Sequence, residues 1–273
     1  MRLVSATCLA FLGATLLTVS CKKESSSSAQ SDVSNETLKK IETLGFSTEN
    51  VQKVSNGYLV EDDIVLTEEN LNSTSVSPTL LIANVEQYRT TNLVSKPKTI
   101  TVSVSGTLAS SNAWSTAVNN MISKYNALSL KLVFSRVSSG GAVDIVGFDQ
   151  GPSGGYITLG SSGFPTSTGS PYNQIKLNTN AQAYGTNPNI AAATAVIQHE
   201  MGHCIGFRHT DYFNRAYSCG GRKSNEGSAG IGAILIPGTP SKADANSFML
   251  ACVGSTPRDF NANDIVALNY LYK

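Results

Sequence analysis

The stretch His199-Glu-Met-Gly-His-Cys-Ile-Gly-Phe-Arg-His209 decides how the rest of this chain is read, and the protein's three histidines all lie in it. Side chains four residues apart on a helix share a face, so His199 and His203 can aim their imidazoles at one point. Glu200 lies beside them on the same helix, able to reach a metal-held water without ligating the metal itself. Gly206 is placed to break the helix, because glycine turns sharply at little steric cost. The chain then swings back and offers His209 as a third donor. Three neutral nitrogens leave one coordination position open, as catalytic rather than structural zinc sites do. The expected cofactor is therefore Zn2+, with His199, His203 and His209 as metal ligands and Glu200 as the catalytic base.

Working outward, the helix carrying this stretch is expected to run from Asn189 through Cys204, capped by Asn187 with Pro188 in its first turn. Upstream, from Lys98, the pattern is α/β. Ile100, Val102 and Val104 alternate with Thr101, Ser103 and Ser105, which reads as a half-buried strand. Trp114, Val118, Met121, Tyr125 and Leu128 fall at helical spacing behind a Ser111/Asn112 cap, the core face of a helix. Residues 130–137, 142–148, 155–159 and 174–178 are four further strand candidates. Downstream, 211–247 is rich in glycine and serine with little regular pattern. A last helix is expected at 262–272, with Asn261 as cap and Asp264 three residues on.

The completed motif resembles that of the metzincins, and in local wording the bacterial dual-action HEIGH metallo-peptidases. That resemblance implies a methionine turn beneath the metal. Ser247-Phe-Met249-Leu fits it, so Gly206 and Met249 are the turn residues. Ala251 stands where some metzincins carry a tyrosine, so no tyrosine ligand is expected. The fold implied is α+β and zincin/metzincin-like: a twisted, mainly five-stranded sheet with an active-site helix, then an irregular C-terminal subdomain ending in a helix. By the same analogy Tyr156, Ile157, Thr158 and Leu159 form the cleft-edge strand, to which an extended substrate would add its own backbone. The activity implied is zinc-dependent endopeptidase: Glu200 assists attack of zinc-bound water on a peptide bond. The alternative of another class is a noncatalytic surface-binding lipoprotein retaining the fold. Retention of Glu200 argues against it, and a zinc enzyme acting on a non-peptide amide is a third reading.

The N-terminus reads as an export signal. Arg2 precedes an uncharged stretch, Leu3 to Val19, that ends in Ser20-Cys21. The ending resembles the lipobox of bacterial lipoproteins, which makes Cys21 the lipidation site and 1–21 the signal peptide. Residues 22–33 read as a Ser-rich tether. An N-terminal lipid would anchor the protein to a membrane, at the outer membrane or cell surface; plain secretion is the alternative. The chain is 273 residues long with formal net charge +1, which gives no electrostatic ground for a nucleic-acid partner. The expected partners are a protein or peptide substrate and a membrane, and the expected state is a monomer.

Residues 34–97 read as a small N-terminal segment, a possible prosegment, ahead of a catalytic domain at 98–273. Within it, 35–44 is helical with Gly45 to end it, 57–66 reads as one strand, Thr67 opens another helix, and 72–97 is a crossing linker. Val60-Glu-Asp-Asp63 resembles the aspartate motif with which astacin prosegments cover their zinc. A cysteine switch is excluded, since no cysteine lies between Cys21 and Cys204. Among Cys204, Cys219 and Cys252 three pairings are possible. Cys219 with Cys252 is preferred, because it would fasten the irregular loop to the methionine turn.

Overall fold

Local capping signals set most of the element boundaries in the computed structural model, which describes residues 33–72, 87–152, 157–221, 223, 225–227, 232–240 and 243–273. The signal segment 1–21 with Cys21, the tether through 32, and Tyr156 lie outside the described residues. The first element among the described residues is α1 (Asn35–Thr43), whose N-terminus Ser34 caps through its side chain. Three short strands follow, β1 (Gln52–Val54), β2 (Gly57–Val60) and β3 (Ile64–Leu66), forming an antiparallel sheet in that order. Thr67 and Asn70 close a capping box on α2 (Glu68–Leu71).

The single strand expected at 57–66 is thus a hairpin. Glu61 and Asp62 take left-handed conformations, φ 54° and 67°. Asp tolerates this through local hydrogen bonding, whereas for Glu61 it costs roughly 1–2 kcal/mol. Glu61 is held there by the Ser47 N–H, which donates to its carboxylate at 2.8 Å. Asp62 is a turn former, but the apolar residues on either side, 58–60 and 64–66, make the stretch read as one continuous strand. The hairpin directs the next residue, Asp63, toward the histidines.

Residues 72–97, read as a linker, include a strand, β4 (Tyr88–Arg89). The main sheet is built from β5 (Lys98–Val104), β6 (Leu132–Arg136), β7 (Val143–Phe148), β8 (Gly160–Ser161) and β9 (Gln174–Asn178). Their order is β6-β5-β7-β9-β8, with β8 antiparallel at the edge and the rest parallel. Two helices pack against this sheet and each other, α3 (Asn112–Ala127) and α4 (Ile190–Ile205). Trp114, Val118, Met121 and Tyr125 of α3 are buried with Ile100, Val102 and Ile145 of the sheet and Ile197 and Met201 of α4. The Tyr125 hydroxyl donates to Gln198 O at 2.9 Å, so its polar end is satisfied inside the core.

Two boundaries differ from the sequence reading. The cap of α4 is Asn189, whose side chain accepts from the Ala192 N–H; Asn187 stands outside the helix. The edge strand lies at Gly160–Ser161, and Ile157, Thr158 and Leu159 are not strand. The Ile-Thr-Leu run has high strand propensity, but tertiary contacts decide here. The buried Asn178 donates its side-chain amide to Thr158 O at 2.8 Å and its backbone N–H to Leu159 O. Ladder pairing with β9 begins only at Gly160↔Leu177.

After α4 the chain contains α5 (Ala216–Cys219) and β10 (Ile234–Leu235), the latter paired antiparallel with β4. It closes with α6 (Ala262–Tyr272), under an Asn261/Asp264 capping box. The N-terminal segment is not separate from the rest: Leu59, Val65 and Val94 lie in the main core. A second core, with Ile41, Phe46, Tyr58 and Ile64, takes in Phe164.

Candidate metal centre

The end of α4 positions the site. Gly206 ends the helix in a left-handed conformation, φ 113°, as its C-cap. Any side chain there would be strained, and a Cβ would also meet Leu93 Cδ2 at 2.7 Å. The turn returns His209 to the face that carries His199 and His203. His203 Nε2 lies 3.1 Å from His209 Nε2, which lies 3.3 Å from His199 Nε2. Each ring's other nitrogen faces an acceptor that has no proton to give. His199 Nδ1 contacts Phe248 O at 2.8 Å, His203 Nδ1 contacts Phe207 O at 2.8 Å, and His209 Nδ1 contacts Glu226 Oε1 at 2.5 Å. The Nδ1 atoms must therefore donate, so the three Nε2 atoms, which converge on one point, are the atoms the rings can offer to a metal.

A fourth donor comes from the N-terminal hairpin. Asp63 Oδ2 is 3.0 Å from His209 Nε2 and 3.9 Å from His199 Nε2. The ligand atoms of Asp63, His199, His203 and His209 lie within 4.8 Å of one another, and all four residues are buried. Asp63 Oδ1 is buried without a hydrogen-bond partner. Three imidazoles and a carboxylate gathered this closely are a donor set suited to a tetrahedral divalent ion.

The proton affinities of these groups are split by their surroundings. Burial, then His209, holds the His199 imidazole down to about 4. Burial, then His209 and His199, holds His203 well below the usual range. Burial opposes charge on His209 too, but Asp63 and Glu226 outweigh it and push the ring up to about 10. Asp63 and Glu226 thus favour positive charge at His209, while burial disfavours it at the other two imidazoles. Glu200 is buried beside it, and burial and then Asp63 raise its carboxyl well above the ordinary range. Ser162 Oγ sits 2.7 Å from Glu200 Oε2. Gly160 leaves the room for this carboxylate, since a Cβ there would lie 2.9 Å from Glu200 Oε1.

Met249 is fully buried under the site. Gly202 packs on it so closely that a Cβ would come within 2.5 Å of Met249 Sδ. The turn is held by Asp264, which accepts from the Phe248 N–H at 3.1 Å and the Ser247 hydroxyl at 2.9 Å. Asp211, two residues after His209, caps the same turn from the other side. Its carboxylate accepts from the Ala251 N–H at 2.9 Å and the Ser218 hydroxyl at 2.6 Å. Cys219 and Cys252 are joined as a disulfide, and Cys204 is a buried free thiol on α4.

The cleft over the histidines has a volume of about 610 Å³ and is lined by Asp63, Leu159, Gly160, His199, Glu200 and Arg215, among others. A neighbouring pocket of about 320 Å³ lies between Ala192 and Ala195 of α4 and the segment Val253–Arg258 after the methionine turn.

The family model described as the dual-action HEIGH metallo-peptidase matches residues 58–272. The chain belongs to that family. It is a zinc metalloendopeptidase, and its buried three-histidine and aspartate group is one able to bind the metal. No curated protein sequence matches this metallo-peptidase. Among solved structures it is similar to two of myroilysin. One is 14% identical, covering 66% of this chain and 95% of that one with a TM-score of 0.43. The other is 14% identical, covering 67% and 86% with a TM-score of 0.39. It is also similar to high choriolytic enzyme 1, a hatching-enzyme zinc protease from the medaka fish Oryzias latipes. That match is 17% identical over 63% and 88%, with a TM-score of 0.36.

Proposed function

We propose that this metallo-peptidase is an exported, lipid-anchored endopeptidase that its own N-terminal segment keeps latent. The observation that carries the reading is the convergence of three Nε2 atoms, each on a ring fixed by an acceptor at its Nδ1. His199, His203 and His209 would hold the zinc, which when bound would polarise a carbonyl and acidify water. Glu200 accepts the proton of the attacking water and returns it to the leaving amine. Burial keeps bulk water from its carboxylate, and Ser162 orients it.

Two features support latency. Asp63 stands at the position that a catalytic site leaves open. In addition, β3 already lies on the sheet edge: the Val65 N–H donates to Ser162 O at 2.7 Å and the Ser162 N–H to Asp63 O at 3.0 Å. A substrate adding its backbone to β8 would need that edge. The Arg2-to-Cys21 pattern supports export and lipidation. Among the described residues no helix is long and apolar enough to cross a membrane.

The test uses the full chain, because a form starting at Lys98 would lose β4 and with it the pairing to β10. Wild type, Asp63→Ala and Asp63→Ala/Glu200→Gln are incubated with zinc and a denatured protein, and the new termini are sequenced. Asp63→Ala should cleave faster than wild type, and the double variant should bind zinc without cleaving. Cleavage by the double variant at the single variant's rate would sink the mechanism. Equal, negligible cleavage by all three would favour a noncatalytic surface-binding lipoprotein. Labelling with a radioactive fatty acid should mark wild type and spare Cys21→Ser.

A further inference from the structure

The third imidazole is held differently from the other two. His199 and His203 donate from Nδ1 to backbone carbonyls, whereas His209 donates to a carboxylate, Glu226 Oε1 at 2.5 Å. His199 and His203 are also fixed by the helix that carries them. His209 follows the break at Gly206, so no helix sets the direction of its ring.

Glu226 comes from the irregular loop and is fully buried. A lone buried carboxylate would cost several kcal/mol, and two cations offset that cost. Arg215 Nη1 donates to Oε1 at 2.8 Å, and Arg208 Nη2 donates to Oε2 at 3.3 Å. The Glu226 backbone is itself tied down, its N–H donating to Tyr212 O at 2.7 Å. Arg208 is locked in turn, donating to Gly232 O at 2.9 Å and Gly227 O at 3.1 Å with its guanidinium over the Phe46 ring. A group this firmly anchored, with one oxygen aimed at an imidazole nitrogen, sets the ring's orientation and raises its basicity toward a metal.

We propose that Glu226, anchored by Arg208 and Arg215, is the positioning residue for the third zinc ligand, His209. This rests on the proposed zinc site. It gives the irregular loop a role in metal retention: the loop closes over His209 and supplies the one charged partner among the three Nδ1 contacts. Arg215 also lies 3.4 Å from Glu61 Oε2, so the same clamp touches the hairpin that presents Asp63.

The experiment compares full-length wild type, Glu226→Gln and Glu226→Asp. It measures zinc Kd by chelator competition, the visible spectrum of the cobalt(II)-loaded protein, and the melting temperature of the metal-stripped protein. Glu226→Gln should bind zinc 10- to 100-fold more weakly and shift the cobalt bands, while Glu226→Asp recovers part of the affinity. If Glu226→Gln does not fold, Glu226→Asp decides alone: weaker zinc binding at an unchanged metal-free melting temperature supports the role. A folded variant with wild-type zinc affinity and cobalt spectrum, whether or not its melting temperature falls, overturns it. Wild type that binds no zinc would instead overturn the site itself.

Discussion

At the scale of single residues, the chemistry depends on Glu200 and the packing on Gly202. Glu200→Gln keeps the shape and the 2.7 Å contact with Ser162 within reach but cannot accept a proton. In the Asp63→Ala background, peptide hydrolysis should therefore fall by about 10²–10⁴-fold, with bound zinc unchanged by elemental analysis. Gly202→Ala sets two effects against each other. Alanine favours a helix interior by about 1 kcal/mol over glycine. Its Cβ would lie 2.5 Å from Met249 Sδ, and overpacking of that kind costs about 1–3 kcal/mol. Overpacking should win, and urea denaturation should show a net loss of stability; a gain would mean that the methionine turn yields freely. The histidines and Gly206 were legible from sequence because one helical turn and one break place them all. Asp63 was visible only as a loose motif, and Glu226 was not found. Each reaches the site across a loop, and a single acid in a polar stretch carries no local signal of its partner. Three histidines with no partner for the third Nδ1 is the one cue that a buried carboxylate was to be sought in the loop.

At the scale of elements, the long helices are more legible in sequence than the short strands, although α4 is capped by Asn189 and not Asn187. The end caps Ser111 and Asn261 act within three residues of themselves, so their signals are local. The edge strand β8 is only Gly160–Ser161, whose residue types do not favour strand, and it exists because β9 pairs with it and Glu200 needs the space beside Gly160. The methionine turn is an element with little regular structure, and it is tied down from three sides: Asp264 of α6, Asp211 behind His209, and the disulfide from α5. The Cys219–Cys252 bridge spans 33 residues. By loop-closure entropy, replacing both cysteines with serine should lower stability by roughly 3–4 kcal/mol, read from equilibrium denaturation. Zinc affinity should fall less, because Asp264 and Asp211 continue to hold the turn. A loss of zinc affinity as large as that of Glu226→Gln would show that the bridge, rather than these carboxylates, positions the floor of the site.

At the scale of the whole molecule, the metal centre is one of the places where the N-terminal sheet meets the rest of the protein. The small sheet β1–β3 has its own core, and its contacts with the rest include Leu59 and Val65, Phe164, the Arg215–Glu61 pair, and Asp63 at the histidines. Along the edge, β3 is held to Ser162 by two backbone hydrogen bonds. A metal bound by Asp63 as well as the histidines adds a link between the two parts. At a free zinc concentration a thousand times Kd, binding stabilises the folded state by about 4 kcal/mol. Part of that stabilisation must act on the attachment of the hairpin. Chelation should therefore lower the melting temperature of the full chain. It should also speed amide hydrogen exchange at residues 61–66 more than in β5 and β7, whose protection comes from the main core. In Asp63→Ala the hairpin should exchange fast with or without zinc, while the histidines still bind the metal. Uniform exchange changes across both parts, or zinc-dependent protection of 61–66 that survives in Asp63→Ala, would show that the aspartate does not join the two halves through the metal.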